Sequence, residues 1–317
     1  MVNFDFLGKG LNALARAYRV NAMSGHLGAA VVAGYFIAEQ HPDLDDKVYE
    51  GIERSLGRII QGESVFGPKK NSPITVAEMF AAFPKEKPNE NLIGGIAEAL
   101  AENISQARQS GHNVIFASIA IRALKDHPDF ATPQVTDGIR KLIRSFNGAT
   151  PGNGYYGKAK GRIDGRKVPL PEDDKFPPYA DLSAMAEVVF DELIEHADDR
   201  RVGFGGLVHI INHAAALAEL SRYGFPELAK KGLAGHHQHV ALWKTLPDVA
   251  GEPGEKSPVK EEHNPRTPAY WQNMETDRQS AQLTHRVKTL YGFDGLAELI
   301  EDPNRRRKGN ESLRYLI

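Results

Sequence analysis

Ser24-Gly25-His26-Leu27-Gly28-Ala29-Ala30-Val31-Val32-Ala33-Gly34-Tyr35-Phe36-Ile37-Ala38-Glu39-Gln40-His41-Pro42-Asp43-Leu44 is bounded by two short frames, Ser-Gly-His and His-Pro-Asp. Both frames return in Ser110-Gly111-His112 and His127-Pro128-Asp129-Phe130. The two stretches align without a gap at an offset of 86 residues, and 6 of 21 positions are identical. A looser third copy runs from Val208-His209 to Phe225-Pro226-Glu227-Leu228. A long fixed period marks stacked or ring-closed repeats. Between the frames of the first copy the residues are small and apolar, with no acidic or basic residue between His26 and Glu39. Such a segment reads as an interior helix, and Pro42 stops it.

The flanking segments have the other pattern. Residues 4–20, 45–61, 92–109 and 134–146 carry apolar residues at spacings of three and four, which predicts amphipathic helices outside the interior ones. Residues 76–83 predict a short helix capped by Thr75. The third copy repeats the order with helices over 181–197, 206–222 and 226–244, and the chain closes with helices over 274–290 and 294–301. The run Arg305-Arg306-Arg307-Lys308 reads as solvated surface. No segment demands a strand. The expected fold is all-α: one helical domain over 1–317, with repeats starting near 24, 110 and 207. Alternating interior and amphipathic helices suggest an α/α toroid, with an open α-solenoid as the alternative.

Residues 147–180 interrupt this order. They hold six glycines, the pair Tyr155-Tyr156, basic residues that include Lys158 and Arg162, and then four prolines. A loop of this length is most often a lid or a binding loop. Here Tyr155, Lys158 and Arg162 are candidates to bind substrate, and Tyr156 to close over it.

Composition narrows the chemistry. The 317 residues contain no cysteine, which removes disulfides, thiolate nucleophiles and cysteine-held metals. A net charge of -2 gives no reason to expect nucleic acid or a membrane surface as partner. No apolar run approaches the roughly 18 residues that span a bilayer. The first residues, Met1 to Leu7, lack a basic region followed by an apolar core. A soluble, cytoplasmic protein acting on a small molecule is the expectation.

The 12 histidines carry the strongest functional signal. His26, His112 and His209 each stand at the start of an interior helix, where the helix dipole disfavours imidazolium. Neutral imidazole is the state a metal ligand or a general base requires. In a closed ring of repeats, equivalent positions converge, so these three are the candidate ligands of a metal such as zinc or iron. His209 and His213 share a helix face at a spacing of four. His209, His213 and the neighbouring Asn212 are therefore candidate catalytic residues, together with Tyr156. Gly235-His236-His237-Gln238-His239 is a further cluster. His41 and His127, ahead of the prolines, read as structural.

Three stretches give the chain a family resemblance. Gly25-His26-Leu27-Gly28-Ala29-Ala30, His209-Ile210-Ile211-Asn212-His213-Ala214 and Leu246-Pro247 resemble the questin oxidase-like family, although the paired histidines of that family's first motif are absent at His26. The resemblance implies an oxidative enzyme acting on a polycyclic or other small organic molecule. Toroids of helices point instead, by fold analogy, to carbohydrate-active lyases or isomerases that use a His/Tyr pair. A helical scaffold that binds a partner protein is the third possibility.

Overall fold

The computed structural model describes residues 1–172, 175–252, 264–272 and 281–317. Thirteen α-helices lie among the described residues: α1 (Asp5–Ala17), α2 (Gly25–Gln40), α3 (Asp46–Ile60), α4 (Val76–Phe80), α5 (Gly94–Ala101), α6 (His112–Asp126), α7 (Pro133–Arg144), α8 (Leu182–His196), α9 (Gly206–Arg222), α10 (Pro226–Lys244), α11 (Pro268–Gln272), α12 (Gln282–Ala297) and α13 (Pro303–Leu313). One antiparallel hairpin accompanies them, β1 (Asn153–Tyr155) with β2 (Arg162–Asp164). No described helix is long and apolar enough to cross a membrane.

The chain divides into two compact units. The first contains Met1–Glu102, Phe116–Phe146 and Asn264–Tyr291. Its centre is α2, whose residues are almost all buried. α1 packs on one side of α2 and α3 on another, and α7 lies against α1. The approach of α1 to α2 is backbone to backbone. A Cβ on Gly28 would fall 2.5 Å from the amide nitrogen of Leu14, so only glycine fits there. The outer helices start where polar caps allow. The Asp45 side chain accepts the Lys47 amide at 2.8 Å ahead of α3, and Thr75 with Glu78 forms a capping box on α4.

The second unit contains Asn103–Ile115, Asn147–His263 and Gly292–Ile317. Here α9 is the buried helix, packed between α8 and α10. Asp181 caps α8 by accepting the Ala184 amide at 2.8 Å, and Pro226 opens α10.

The sequence repeat is visible in the backbone at one frame and not at the other. His41 and His127, each preceding proline, have φ -126, ψ 73 and φ -131, ψ 72, respectively. At the opening frame, Ser24 is helical with φ -66, whereas Ser110 and Gly111 are left-handed with φ 59 and 82.

Three sequence expectations are corrected. The helix expected over 92–109 is only Gly94–Ala101. Beyond it the chain turns, because the buried Asn103 side chain bonds Asn147 at 2.7 Å and Asn113 at 2.8 Å instead of facing solvent on a helix. The basic run at 305–308 is solvated as expected at Arg306, Arg307 and Lys308, which are exposed. It belongs to α13, which packs on α8, and Arg305 pairs with Glu187 at 2.9 Å and with Asp191. The expectation of no strand fails in the segment 147–180, which holds the hairpin of β1 and β2. Part of the helix expected over 274–290 lies outside the described residues, and α12 continues through 291–293, between the helices expected over 274–290 and 294–301.

Candidate metal centre

Two turns of unusual backbone frame the first cluster, which lies in the second unit. Gln109, Ser110 and Phe204 have φ of 45, 59 and 46, and they are the non-glycine residues with positive φ among the described residues. Such positions cost on the order of 1–3 kcal/mol each and persist where surrounding structure enforces them. Gln109-Ser110-Gly111 leads into α6, and Gly203-Phe204-Gly205 into α9.

One extended segment holds both turns. The Gln109 amide donates to the Thr150 carbonyl at 2.7 Å, and the Ser110 amide to Pro151 at 2.9 Å. Further along, the Phe204 amide donates to the Asn153 carbonyl at 3.0 Å, and the Tyr155 amide to Val202 at 2.8 Å. Gly154 lies so close to Phe204 that a Cβ there would sit 2.5 Å from the ring. Residues 150–155 are thus a clamp on the two turns.

What the clamp orients is a pair of imidazoles. His209 Nδ1 bonds the Gly205 carbonyl at 2.6 Å, and His112 Nδ1 bonds the Gln109 carbonyl. A carbonyl only accepts, so each Nδ1 carries the hydrogen. The two Nε2 atoms face each other at 3.1 Å. Two neutral imidazoles cannot bond to each other in this arrangement, because both Nε2 atoms present lone pairs. A cation or a single proton between them resolves the conflict. Both residues are buried.

One turn further along α9, His213 belongs to a second group in the same unit. Its Nδ1 lies 3.3 Å from Nδ1 of His239, whose Nε2 bonds the Phe204 carbonyl at 2.7 Å. His236 Nε2 bonds the Ile210 carbonyl at 3.1 Å. All three imidazoles are buried, with 0% exposure. Burial, reinforced by neighbouring His236 and His239, holds the His213 pKa well below the ordinary imidazole value. The same desolvation pushes His236 down to about 3 and His239 down to about 4.

In the first unit, His26 and His285 form a pair of related design. Their ring centroids are 4.7 Å apart, and a ring nitrogen of one lies within 4.8 Å of a ring nitrogen of the other. His285 Nδ1 bonds the Ala281 carbonyl at 2.7 Å, four residues back, as His209 does with Gly205. His26 stacks on Phe66 at 3.9 Å, and its Nδ1 bonds the Lys288 amine. Burial lowers the pKa of Lys288 well below that of an ordinary lysine.

His112 and His209 stand together, and His213 joins a neighbouring cluster. Asn212 is buried on α9. Tyr155, Lys158 and Arg162 gather elsewhere in the second unit. The Tyr155 hydroxyl donates to Glu252 at 2.7 Å, the Lys158 amide bonds the same carboxylate at 3.0 Å, and Arg162 lies 5.9 Å over the Tyr155 ring. Tyr156 bonds the Thr245 hydroxyl at 2.6 Å.

Sequence reasoning did not single out His285 and Lys288. His285 stands in the first turn of α12, as the other helix-start histidines do, but no Ser-Gly-His frame announces it. Compared with known proteins, the chain matches no family, no curated protein and no solved structure.

Proposed function

We propose that this protein binds a transition-metal ion through histidine imidazoles and uses it in an oxidoreductase reaction on a small organic molecule. The observation that carries the proposal is the 3.1 Å approach of His112 Nε2 to His209 Nε2, with both Nδ1 atoms tied to backbone carbonyls. Two imidazoles bound to one tetrahedral ion at about 2.0–2.1 Å have nitrogens roughly 3.4 Å apart. The observed spacing is close to that value, and the carbonyl anchors are the usual second partners of metal-binding histidines. Strained turns spent on orienting two buried imidazoles are easier to understand at a working site than in packing alone.

The ligand type suits zinc or iron. A bound ion supplies Lewis acidity, and iron adds a redox couple. Iron agrees with the oxidative chemistry that the questin oxidase-like resemblance implies, so it is the preferred assignment. The protein's own part is to present neutral imidazoles in a dry interior, with His213 one turn away to take up or release a proton. His26 and His285 are candidate ligands of the same kind.

Metal analysis of the purified chain tests this, after loading with iron(II) or zinc and removal of excess. The expected result is bound metal that is lost in His112→Ala and His209→Ala, with the helical circular dichroism retained. The same measurement on His26→Ala and His285→Ala, read with the number of ions per chain, tells whether that pair holds an ion. A chain that holds no ion after loading, or that holds it equally well without His112 and His209, would overturn the proposal.

A further inference from the structure

A second set of polar atoms in the second unit is buried and unsatisfied. His213 Nε2, His236 Nδ1, Tyr179 Oη and Glu192 Oε2 have no hydrogen-bond partner among the described residues. Their identity as donors or acceptors follows from the bonds on the other side of each group. His239 Nε2 donates to the Phe204 carbonyl, which leaves His239 Nδ1 to accept from His213 Nδ1. The lone pair of His213 is then on Nε2. His236 Nε2 donates to Ile210, so its lone pair is on Nδ1.

These atoms belong to side chains that follow one another. The His213 and His236 rings are 5.1 Å apart, and the His236 and Tyr179 rings 5.6 Å. Glu192 is close enough to Tyr179 for its charge to help hold the phenol protonated, after burial. The other Glu192 oxygen bonds Lys244, and His196 Nε2 stands 3.9 Å from Oε2. The Lys244 side chain is 38% exposed, so this end reaches solvent. The opposite end lies one helical turn from His209.

The chemistry of the set selects its occupant. Three of the four atoms are acceptors, which excludes an anion. Among the described residues His213, His236 and Glu192 do not bring their ligand atoms within metal-binding reach of one another, which excludes a shared metal ion. Water both donates and accepts, and buried waters are the usual partners of such groups. We propose that His213, His236, Tyr179 and Glu192 line a file of internal waters that carries protons between the buried imidazoles of α9 and the Glu192–Lys244 pair at the surface. Each water in the file receives one proton and passes one on, so no charge is left behind. The Tyr179 hydroxyl does the same, accepting on one side and donating on the other.

The path gives the proposed metal centre a route for protons, and in that sense it deepens the metal reading. Its test uses the metal-free full chain, so either idea can fail while the other stands. The ring Hε1 protons of His213 and His236, which flank the nitrogens that carry the lone pairs, are observed by NMR in protein with labelled histidine, and their contacts with water are read as nuclear Overhauser and rotating-frame cross-peaks. The expected result is direct cross-peaks from both rings to internal water. Tyr179→Phe and Glu192→Gln, which keep size and remove one polar function each, should weaken these cross-peaks and leave the protection of the backbone amides of 210–214 unchanged. Rings without water cross-peaks, or cross-peaks unaltered in both variants, would overturn the proposal.

Discussion

Acid should unfold the second unit well before it disturbs an ordinary helical protein. His213, His236 and His239 are buried and neutral, and in the folded chain their pKa values lie far below 6.5, with His236 at about 3 and His239 at about 4. Unfolding returns them to water, where they bind protons below pH 6.5. Stability is therefore complete above pH 6.5 and falls as the pH drops towards the folded values. At pH 5 each of His236 and His239 favours the unfolded chain by RT ln(1 + 10^1.5), about 2 kcal/mol. Together they account for about 4 kcal/mol, a large part of the roughly 5–15 kcal/mol that stabilises a typical domain. His213 acts in the same direction. The assay is urea denaturation from pH 7.5 to 5, followed by Trp243 fluorescence. Trp243 is buried on α10 of this unit and is one of 2 tryptophans, so Trp271→Phe leaves it as the single reporter. His236→Asn should lower stability at neutral pH, because the Ile210 carbonyl loses its donor. It should also flatten the pH dependence by up to about 1.4 kcal/mol per pH unit, the contribution of one proton. A wild-type midpoint that stays level down to pH 5, or a slope unchanged in His236→Asn, would refute the reasoning.

Two further outcomes follow from the turns that hold the imidazoles. Gly111→Ala places a side chain at φ 82 and a Cβ 2.5 Å from the His213 ring, so it should destabilise the chain by roughly 1–3 kcal/mol and abolish metal retention, read by melting temperature and metal analysis. Deleting 152–166 removes the hairpin and with it the Asn153 and Tyr155 bonds to the turn before α9, so loss of cooperative unfolding is expected. A deletion variant that melts like the parent would return this segment to the role of a dispensable lid.

Much of the helical order was legible because local signals and burial agree. The helices over 206–222 and 226–244 match α9 and α10 residue for residue. Glycine and proline mark their ends, and a continuous apolar content forces α9 into the interior. Expectation failed where a long-range contact overrides a local pattern. Residues 102–109 continue a helical apolar spacing, yet Asn103 gains two side-chain bonds by leaving the helix. The strands at 153–155 and 162–164 are three residues each, too short for alternation to register. What holds them is pairing with each other and with the turn at Gly203, neither of which periodicity can report.

The candidate site was legible as residue types and not as geometry, and the Ser-Gly-His frames show why. The same tripeptide is helical at Ser24-Gly25 and left-handed at Ser110-Gly111. At the first, glycine is needed for space: a Cβ on Gly25 would lie 2.5 Å from the Phe116 ring. At the second, glycine follows two left-handed residues whose amides are held by Thr150 and Pro151. One sequence signal thus has two physical causes, and only the second turns a histidine's Nδ1 back onto its own turn. His112 therefore presents Nε2 to His209, while His26 has its Nδ1 on Lys288. Equivalence in the repeat predicts that a histidine stands at the start of each interior helix. The hydrogen bond at its other nitrogen, set by residues tens of positions away, decides which atom it offers.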